Sequence, residues 1–254
     1  KKKLTDDQLN GCPQFLWTHL LDPHAPYTPA ERHQKAVDVP EFDGTANKLV
    51  TKAQRSPEKL SDHQKTAIKK LYAAAVRQAD DRVGELLAVI PDDALVVITA
   101  DHGEALFEHG QLGHEPALYD ELIHVPLLVR PPGGLSKKRV VDTQVQHIDI
   151  APTILDYAGS SPPQSYQGAS LRNLVEEDNP GVINDRVAVS EVASTATVPG
   201  SIKPEALQVA VRTPERKVIH HADSIERYNL LSDPEELQPD IGQLNGDRGR
   251  LEAH

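Results

Sequence analysis

From Ala67 to Ile90 apolar residues recur at intervals of three and four: Ala67, Ile68, Leu71, Tyr72, Ala75, Val76, Ala79, Val83, Leu86, Leu87 and Ile90. That spacing predicts one long amphipathic helix. Ser61 followed by Gln64 is a capping-box pattern at its start, and Pro91 closes the segment. On either side the pattern becomes continuous: residues 15–21 (FLWTHLL) and 94–100 (ALVVITA) predict strands covered on both faces. Strand, helix and strand form a βαβ unit, and a right-handed crossover makes its two strands parallel. Residues 125–130 predict another strand, ended by Pro131-Pro132-Gly133-Gly134, and residues 148–158 a helix ended by Gly159. Between residues 22 and 60 Pro23, Pro26, Pro29, Pro40 and Pro57 interrupt any periodicity, so a long irregular connection of the kind that carries function is expected. Beyond about residue 185 the alternation shortens. Residues 187–191, 207–212, 218–221 and 227–231 predict short strands, with Thr213-Pro214-Glu215-Arg216 as a hairpin connection. The expected architecture is an α/β body over residues 1–185 and a small antiparallel subdomain and tail over 186–254.

Composition narrows the partners more than the fold. With 38 Asp plus Glu against 27 Lys plus Arg the formal net charge is −11. A surface that neutralises phosphates needs concentrated Lys and Arg, so no nucleic-acid partner is expected. No apolar stretch approaches the roughly 20 residues of a membrane helix, and no membrane span is expected. The single Cys12 cannot form an internal disulfide, and its neighbours Gly11, Pro13 and Gln14 offer neither base nor cation to activate it. The chain opens on Lys1-Lys2-Lys3-Leu4-Thr5-Asp6-Asp7, without an apolar signal core and without any methionine. We therefore expect a portion of a longer protein, whose compartment stays open.

Candidate chemistry lies at the strand ends, where loops and helix N-termini of α/β sheets converge. The first predicted strand runs into Asp22-Pro23-His24-Ala25-Pro26-Tyr27 and the second into Asp101-His102-Gly103-Glu104. Each places a carboxylate and an imidazole just past an apolar run. Asp101 and His102 point opposite ways in extended chain, and Gly103 lets the backbone turn so that both reach one ion. A carboxylate with an imidazole suits Mn²⁺ or Zn²⁺ and, less comfortably, Ca²⁺; the same residues also read as a helix cap beside an ordinary histidine. His24, stiffened between prolines, is either an anion-binding imidazole or a turn histidine. Phosphate-binding, dinucleotide-binding and nucleophile-elbow glycine motifs are absent from the sequence.

Together these segments resemble the sulfatase family of the alkaline phosphatase superfamily. The matching runs, in order, are Phe15–Tyr27, Ala79-Asp80-Asp81-Arg82-Val83-Gly84, Val97–Glu104, Tyr119–Leu127, His147–Leu155, and Tyr228-Asn229-Leu230 with Asp233-Pro234-Glu235. The resemblance implies an alkaline-phosphatase-like, mostly parallel sheet flanked by helices, with a small C-terminal antiparallel sheet. It implies a hydrolase of small-molecule or glycan sulfate esters, with phosphodiester, phosphonate or phosphoethanolamine-transfer chemistry, or a non-catalytic binding module, as alternatives. Asp101 and His102 would be ligands of one divalent metal ion, Ca²⁺ or Mn²⁺. His24 would bind the sulfate and protonate the leaving oxygen. His114 stands where relatives commonly place an anion-contacting lysine; a histidine there is not permanently charged, so anion binding would weaken as pH rises. Tyr27 would bind near the substrate by holding the His24 loop. The family's nucleophile lies in a C/S-x-P-x-R motif, and no such motif occurs in these 254 residues. Half of a site is therefore expected, and the chain by itself should be inactive.

Overall fold

Ser61 lies extended at φ −71° and ψ 158°, its hydroxyl accepting from the Gln64 amide at 3.3 Å while the Gln64 side chain accepts from the Ser61 amide at 3.2 Å. The capping box is thus formed as the sequence predicts. The computed structural model describes residues 14–135, 138–177, 186–193 and 207–243. Cys12 lies outside them. The chain divides into two compact units, residues 1–51 with 61–88 and residues 52–60 with 89–254.

The first unit holds α1 (Glu31–Ala36), most of α2 (Ala46–Arg55) and α3 (Asp62–Leu87), with α1 packed on α3. Helix α3 buries Ala67, Ile68, Leu71, Ala74 and Ala75. Its stripe is covered only over the first half: Val76 and Leu86 face solvent. The Ala30 amide donates to Gln78 Oε1 at 2.9 Å, tying the start of α1 to α3. Residues 15–21 do not form the predicted strand. They pair with no strand among the described residues, and Phe15, Leu16, Trp17 and Leu21 are each at least 69% exposed. A run apolar on both faces becomes a strand only when neighbours supply backbone partners and cover both faces.

In the second unit β1 (Val96–Thr99) pairs antiparallel with β4 (Leu127–Arg130), in the register Val96 to Arg130 and Thr99 to Leu127. Every strand pairing among the described residues is antiparallel, which differs from the parallel arrangement expected of the body. The two strands are also only half covered, with Leu128 56% exposed, because β4 is the one ladder partner of β1 among the described residues. The short strands β2 (Ala105–Leu106) and β3 (Leu112–Gly113) form a small hairpin, followed by α4 (Asp120–Ile123). Helices α5 (Ile150–Tyr157) and α6 (Arg172–Glu176) come next. Gly159 follows α5 at φ 71°, the left-handed conformation that ends the helix.

The C-terminal antiparallel sheet forms as expected. It is a five-stranded meander of β5 (Ala188–Ala193), β6 (Leu207–Arg212), β7 (Arg216–His220), β8 (Ser224–Asn229) and β9 (Asp240–Gln243). Thr213 and Arg216 close the predicted hairpin through the Thr213 amide, which donates to the Arg216 carbonyl at 2.8 Å. Ala210, Ile219, Tyr228 and Leu230 of this region share one core with Leu118, and Tyr119, Ile123 and Val192 pack against it. No helix among the described residues is long and apolar enough to cross a membrane.

Two buried ionic nodes hold the second unit together. Asp149 is fully buried and takes a two-pronged hydrogen bond from the Arg186 guanidinium at 2.6 and 2.8 Å, plus the amides of Gln146 at 2.8 Å and Ala169 at 2.9 Å. Lys217 is buried on β7, its ammonium 2.9 Å from Asp120 Oδ1 and 2.7 Å from Glu236 Oε1. Arg212 reaches the same Asp120 at 2.9 Å. Against the cost of its burial, the Arg212 and Lys217 cations hold the Asp120 carboxyl below the usual range. Burial wins for Glu236, whose carboxyl is pushed up despite Lys217.

Candidate functional site

Where β1 ends, Thr99 Oγ1 donates to the Pro126 carbonyl at 2.9 Å, and the chain then bends through Asp101, His102 and Gly103. The Gly103 amide donates to the Leu122 carbonyl at 2.8 Å, holding this bend against the end of α4. A Cβ on Gly103 would stand 1.9 Å from the Glu121 carbonyl oxygen, so only glycine allows the approach. Gly103→Ala is accordingly expected to cost roughly 1–3 kcal/mol and to displace Asp101 and His102. A lowered urea midpoint with unchanged slope checks it, and an unchanged midpoint would remove the close approach as a constraint.

Asp101 Oδ1 accepts from the His102 amide at 3.0 Å. His102 Nδ1 lies 2.8 Å from the Gly103 carbonyl, which can only accept, so Nδ1 carries a proton and the neutral form of the ring has its lone pair on Nε2. Nε2 is 3.9 Å from Asp101 Oδ2, and both side chains are open to solvent. The His114 ring sits against the His102 ring, centroids 4.3 Å apart and planes tilted by 36°. His114 Nδ1 is in turn 3.2 Å from Glu104 Oε1, a carboxylate whose side chain is only 6% exposed. The structure therefore brings together Asp101, His102 and His114, and adds Glu104, which sequence reasoning missed. Glu104 directly follows Asp-His-Gly, but ten residues separate it from the ring it orients. Among the described residues no group of three or more His, Cys, Asp or Glu is arranged to hold a metal ion. Asp101 and His102 fit as two ligands of a divalent cation: a hard carboxylate oxygen beside a neutral imidazole nitrogen.

The segment between these histidines also carries a clamp that the sequence did not reveal. His109 Nδ1 is 2.6 Å from Glu121 Oε1 and Nε2 is 3.0 Å from the Glu236 carbonyl, while the ring stacks on Tyr119 at 3.7 Å. Both ring nitrogens face acceptors, an arrangement that the imidazolium satisfies and a neutral ring cannot. Burial alone would lower the pKa of His109, but the Glu236 carbonyl and the Glu121 carboxylate raise it on balance.

His24 and Tyr27 belong to the first unit. Asp22, at the start of their loop, accepts from Gln78 Nε2 at 2.9 Å and pairs with Arg82, both on α3. The His24 amide donates to the Leu21 carbonyl at 2.8 Å and its Nδ1 to the Ala25 carbonyl at 2.7 Å. Asp22-Pro23 and Ala25-Pro26 are cis. Tyr27 is fully buried at φ 53°, its ring edge-on to Tyr72 of α3 at 5.4 Å. From there it anchors the loop to the helix.

The sulfatase family model matches residues 2–160, and the model for the C-terminal part of N-sulphoglucosamine sulphohydrolase matches residues 108–247. An N-acetylglucosamine-6-O-sulfatase of Bacteroides thetaiotaomicron is 29% identical over 180 residues, covering 68% of this chain and 32% of that protein. A solved complex with the substrate D-glucosamine-2-N,6-O-disulfate superposes with a TM-score of 0.61 at 21% identity, covering 86% of this chain and 59% of that one. The phosphonate monoester hydrolase of Agrobacterium radiobacter superposes with a TM-score of 0.66 at 21% identity, covering 86% and 50%. The chain spans 32–48% of the length of the first three curated relatives. Matched over more than half of its length, with Asp101, His102 and Gly103 inside the matched region, the chain belongs to the sulfatase family.

Proposed function

We propose that this chain forms part of a metal-dependent hydrolase of sulfate esters, in which Asp101 and His102 supply two ligands to one divalent cation, Ca²⁺ or Mn²⁺. One observation carries the assignment: the Asp101 carboxylate and His102 Nε2 lie 3.9 Å apart, with the ring's other nitrogen already held by a carbonyl. A hydrogen bond from the far ring nitrogen to a carbonyl is how proteins fix the tautomer of a ligating histidine. The bound ion would stabilise negative charge on the sulfate oxygens.

The local geometry of each side chain supports the remaining proposed roles. His114, braced by Glu104 and lying tilted against the His102 ring, offers the anion a ring nitrogen that is charged only when protonated. His24 is proposed to bind sulfate and to give the Nε2 proton of its imidazolium to the departing alcohol oxygen, since its Nδ1 is engaged by Ala25. Tyr27 serves the substrate by holding that loop from its buried seat. Sulfated amino sugars are the proposed substrate class, supported by the similarity to an N-acetylglucosamine-6-O-sulfatase. We further propose a mostly parallel, alkaline-phosphatase-like sheet for the body, a reading supported by the superposition on the solved disulfate complex.

Manganese titration followed by proton NMR tests the metal assignment, because a paramagnetic ion broadens nearby histidine signals even when it binds weakly. Broadening should concentrate on His102 and His114 and disappear in both Asp101→Ala and His102→Ala. Equal broadening in both variants would remove the two residues as ligands. These 254 residues, which lack the C/S-x-P-x-R motif, should show negligible turnover of an aryl sulfate; substantial metal-dependent hydrolysis by them would overturn the half-site.

A further inference from the structure

In the second unit a cavity of about 480 Å³ opens between the segment 108–119 and the C-terminal sheet. It falls within the roughly 300–1,000 Å³ of small-molecule sites. Its floor is apolar, formed by Leu118 and Ile219 of the core, and Leu237 stands at its rim, 53% exposed. Glu226 dominates its polar side. Glu226 Oε2 accepts from the Tyr228 hydroxyl at 2.7 Å and from the Tyr119 hydroxyl at 3.2 Å. Burial and this carboxylate push Tyr119 up to about 12 and raise Tyr228 as well, so both phenols stay protonated donors. On the other oxygen the fit is incomplete. Glu226 Oε1 lies 3.4 Å from His221 Nε2, yet no hydrogen bond aligns between them, and that nitrogen is buried without a hydrogen-bond partner among the described residues.

The lining decides which ligands suit the cavity. Glu108, Glu226 and Glu236 all border it, so an anion such as sulfate would meet like charge. Lys217 already pairs with Glu236, and the two phenols donate to Glu226 Oε2, which leaves Glu226 Oε1 as the oxygen that a ligand donor can engage. A hydroxyl satisfies the misaligned pair: it donates to Glu226 Oε1 while accepting from His221 Nε2 in the ring's Nε2–H form, which neither an ammonium nor a carboxylate can do. An apolar floor beneath such a polar wall matches a ring with hydroxyls at its edge and C–H groups on its face. We propose that this cavity is a binding subsite for a neutral, hydroxylated ring of monosaccharide size, distinct from the Asp101 and His102 cluster.

The test is a two-dimensional amide NMR titration of the 254-residue chain with methyl β-D-glucopyranoside, an uncharged probe. Saturable shifts are expected at Leu118, Ile219, Tyr228 and Leu237, unchanged by excess inorganic sulfate. Leu237→Trp places a bulky ring at an exposed rim position and should abolish the shifts without unfolding the chain. Glu226→Gln keeps the shape but weakens the acceptor, and should lower affinity at least tenfold. No saturable binding, shifts centred on His102 and His114, or binding unchanged in Leu237→Trp would each overturn the proposal. The titration uses no turnover and no metal, so its failure leaves the sulfate-ester assignment standing, and the reverse also holds.

Discussion

Replacing Asp149 by alanine is expected to lower the unfolding free energy by about 3–5 kcal/mol, the cost of breaking a buried ion pair from one side. The carboxylate is fully buried and collects four donors: two from Arg186 and one amide each from Gln146 and Ala169. Alanine strands the Arg186 guanidinium, whose side chain is 17% exposed, and unties three stretches of chain at once. Urea unfolding should show the loss as a lower midpoint. Because both residues serve one interaction, Arg186→Ala combined with Asp149→Ala should cost clearly less than the sum of the single losses. Additive losses, or a single-variant loss under 1 kcal/mol, would show that the fork contributes no more than a surface pair.

Lys217→Met should be comparably severe, about 3–5 kcal/mol at neutral pH, because it preserves length but leaves Asp120 and Glu236 facing each other without their shared cation. Its signature is the pH dependence. Burial already raises Glu236 above the usual carboxylate range with Lys217 present. Removing the lysine raises it further and releases Asp120 from one of the two cations holding it low. A carboxyl with a raised folded pKa binds protons more readily in the native state than in the unfolded chain, so its native form gains stability as pH falls and loses it as pH rises. The deficit of Lys217→Met relative to the parent chain should therefore be largest near pH 7 and shrink toward pH 5. A deficit that is constant with pH would mean that lost packing, not lost charge, dominates.

Both nodes bear on the candidate site through the chain that positions it. Asp120 begins α4, and the carbonyl of Leu122 on that helix holds the Gly103 amide beside Asp101 and His102. Glu236 accepts from the Asp120 amide at 2.6 Å and offers its carbonyl to His109. The C-terminal sheet thus braces the loop that carries the proposed ligands.

Much of this was legible in the amino-acid order wherever the determinant is local. The capping box of Ser61 and Gln64, the stop at Gly159, the Thr213 to Arg216 hairpin and the meander beyond residue 185 each depend on residues a few positions apart, and each formed. Asp101, His102 and Gly103 were equally visible, because their chemistry is contained in three consecutive side chains. The clamp on His109 was not, since its acceptors lie 12 and 127 positions away. Nor were Arg186 as the partner of Asp149 and Asp120 as a partner of Lys217, 37 and 97 positions distant. An aspartate or lysine in the sequence looks like a solvated charge until packing removes it from water.

Apolar periodicity misled where burial depends on what lies alongside. Residues 15–21 and the second half of α3 carry the composition of covered elements, yet their side chains stand open, and β1 meets an antiparallel partner with one exposed face. Composition records which side chains favour burial, but coverage is a property of neighbouring layers. The sequence by itself determined the family, the helices and hairpins, and the residue types at the candidate metal and anion positions. Only the tertiary structure decided that the His102 ring lies against His114, that Glu104 braces His114, and that buried charges tie the sheet to the loop, because those contacts join segments that the chain order keeps apart.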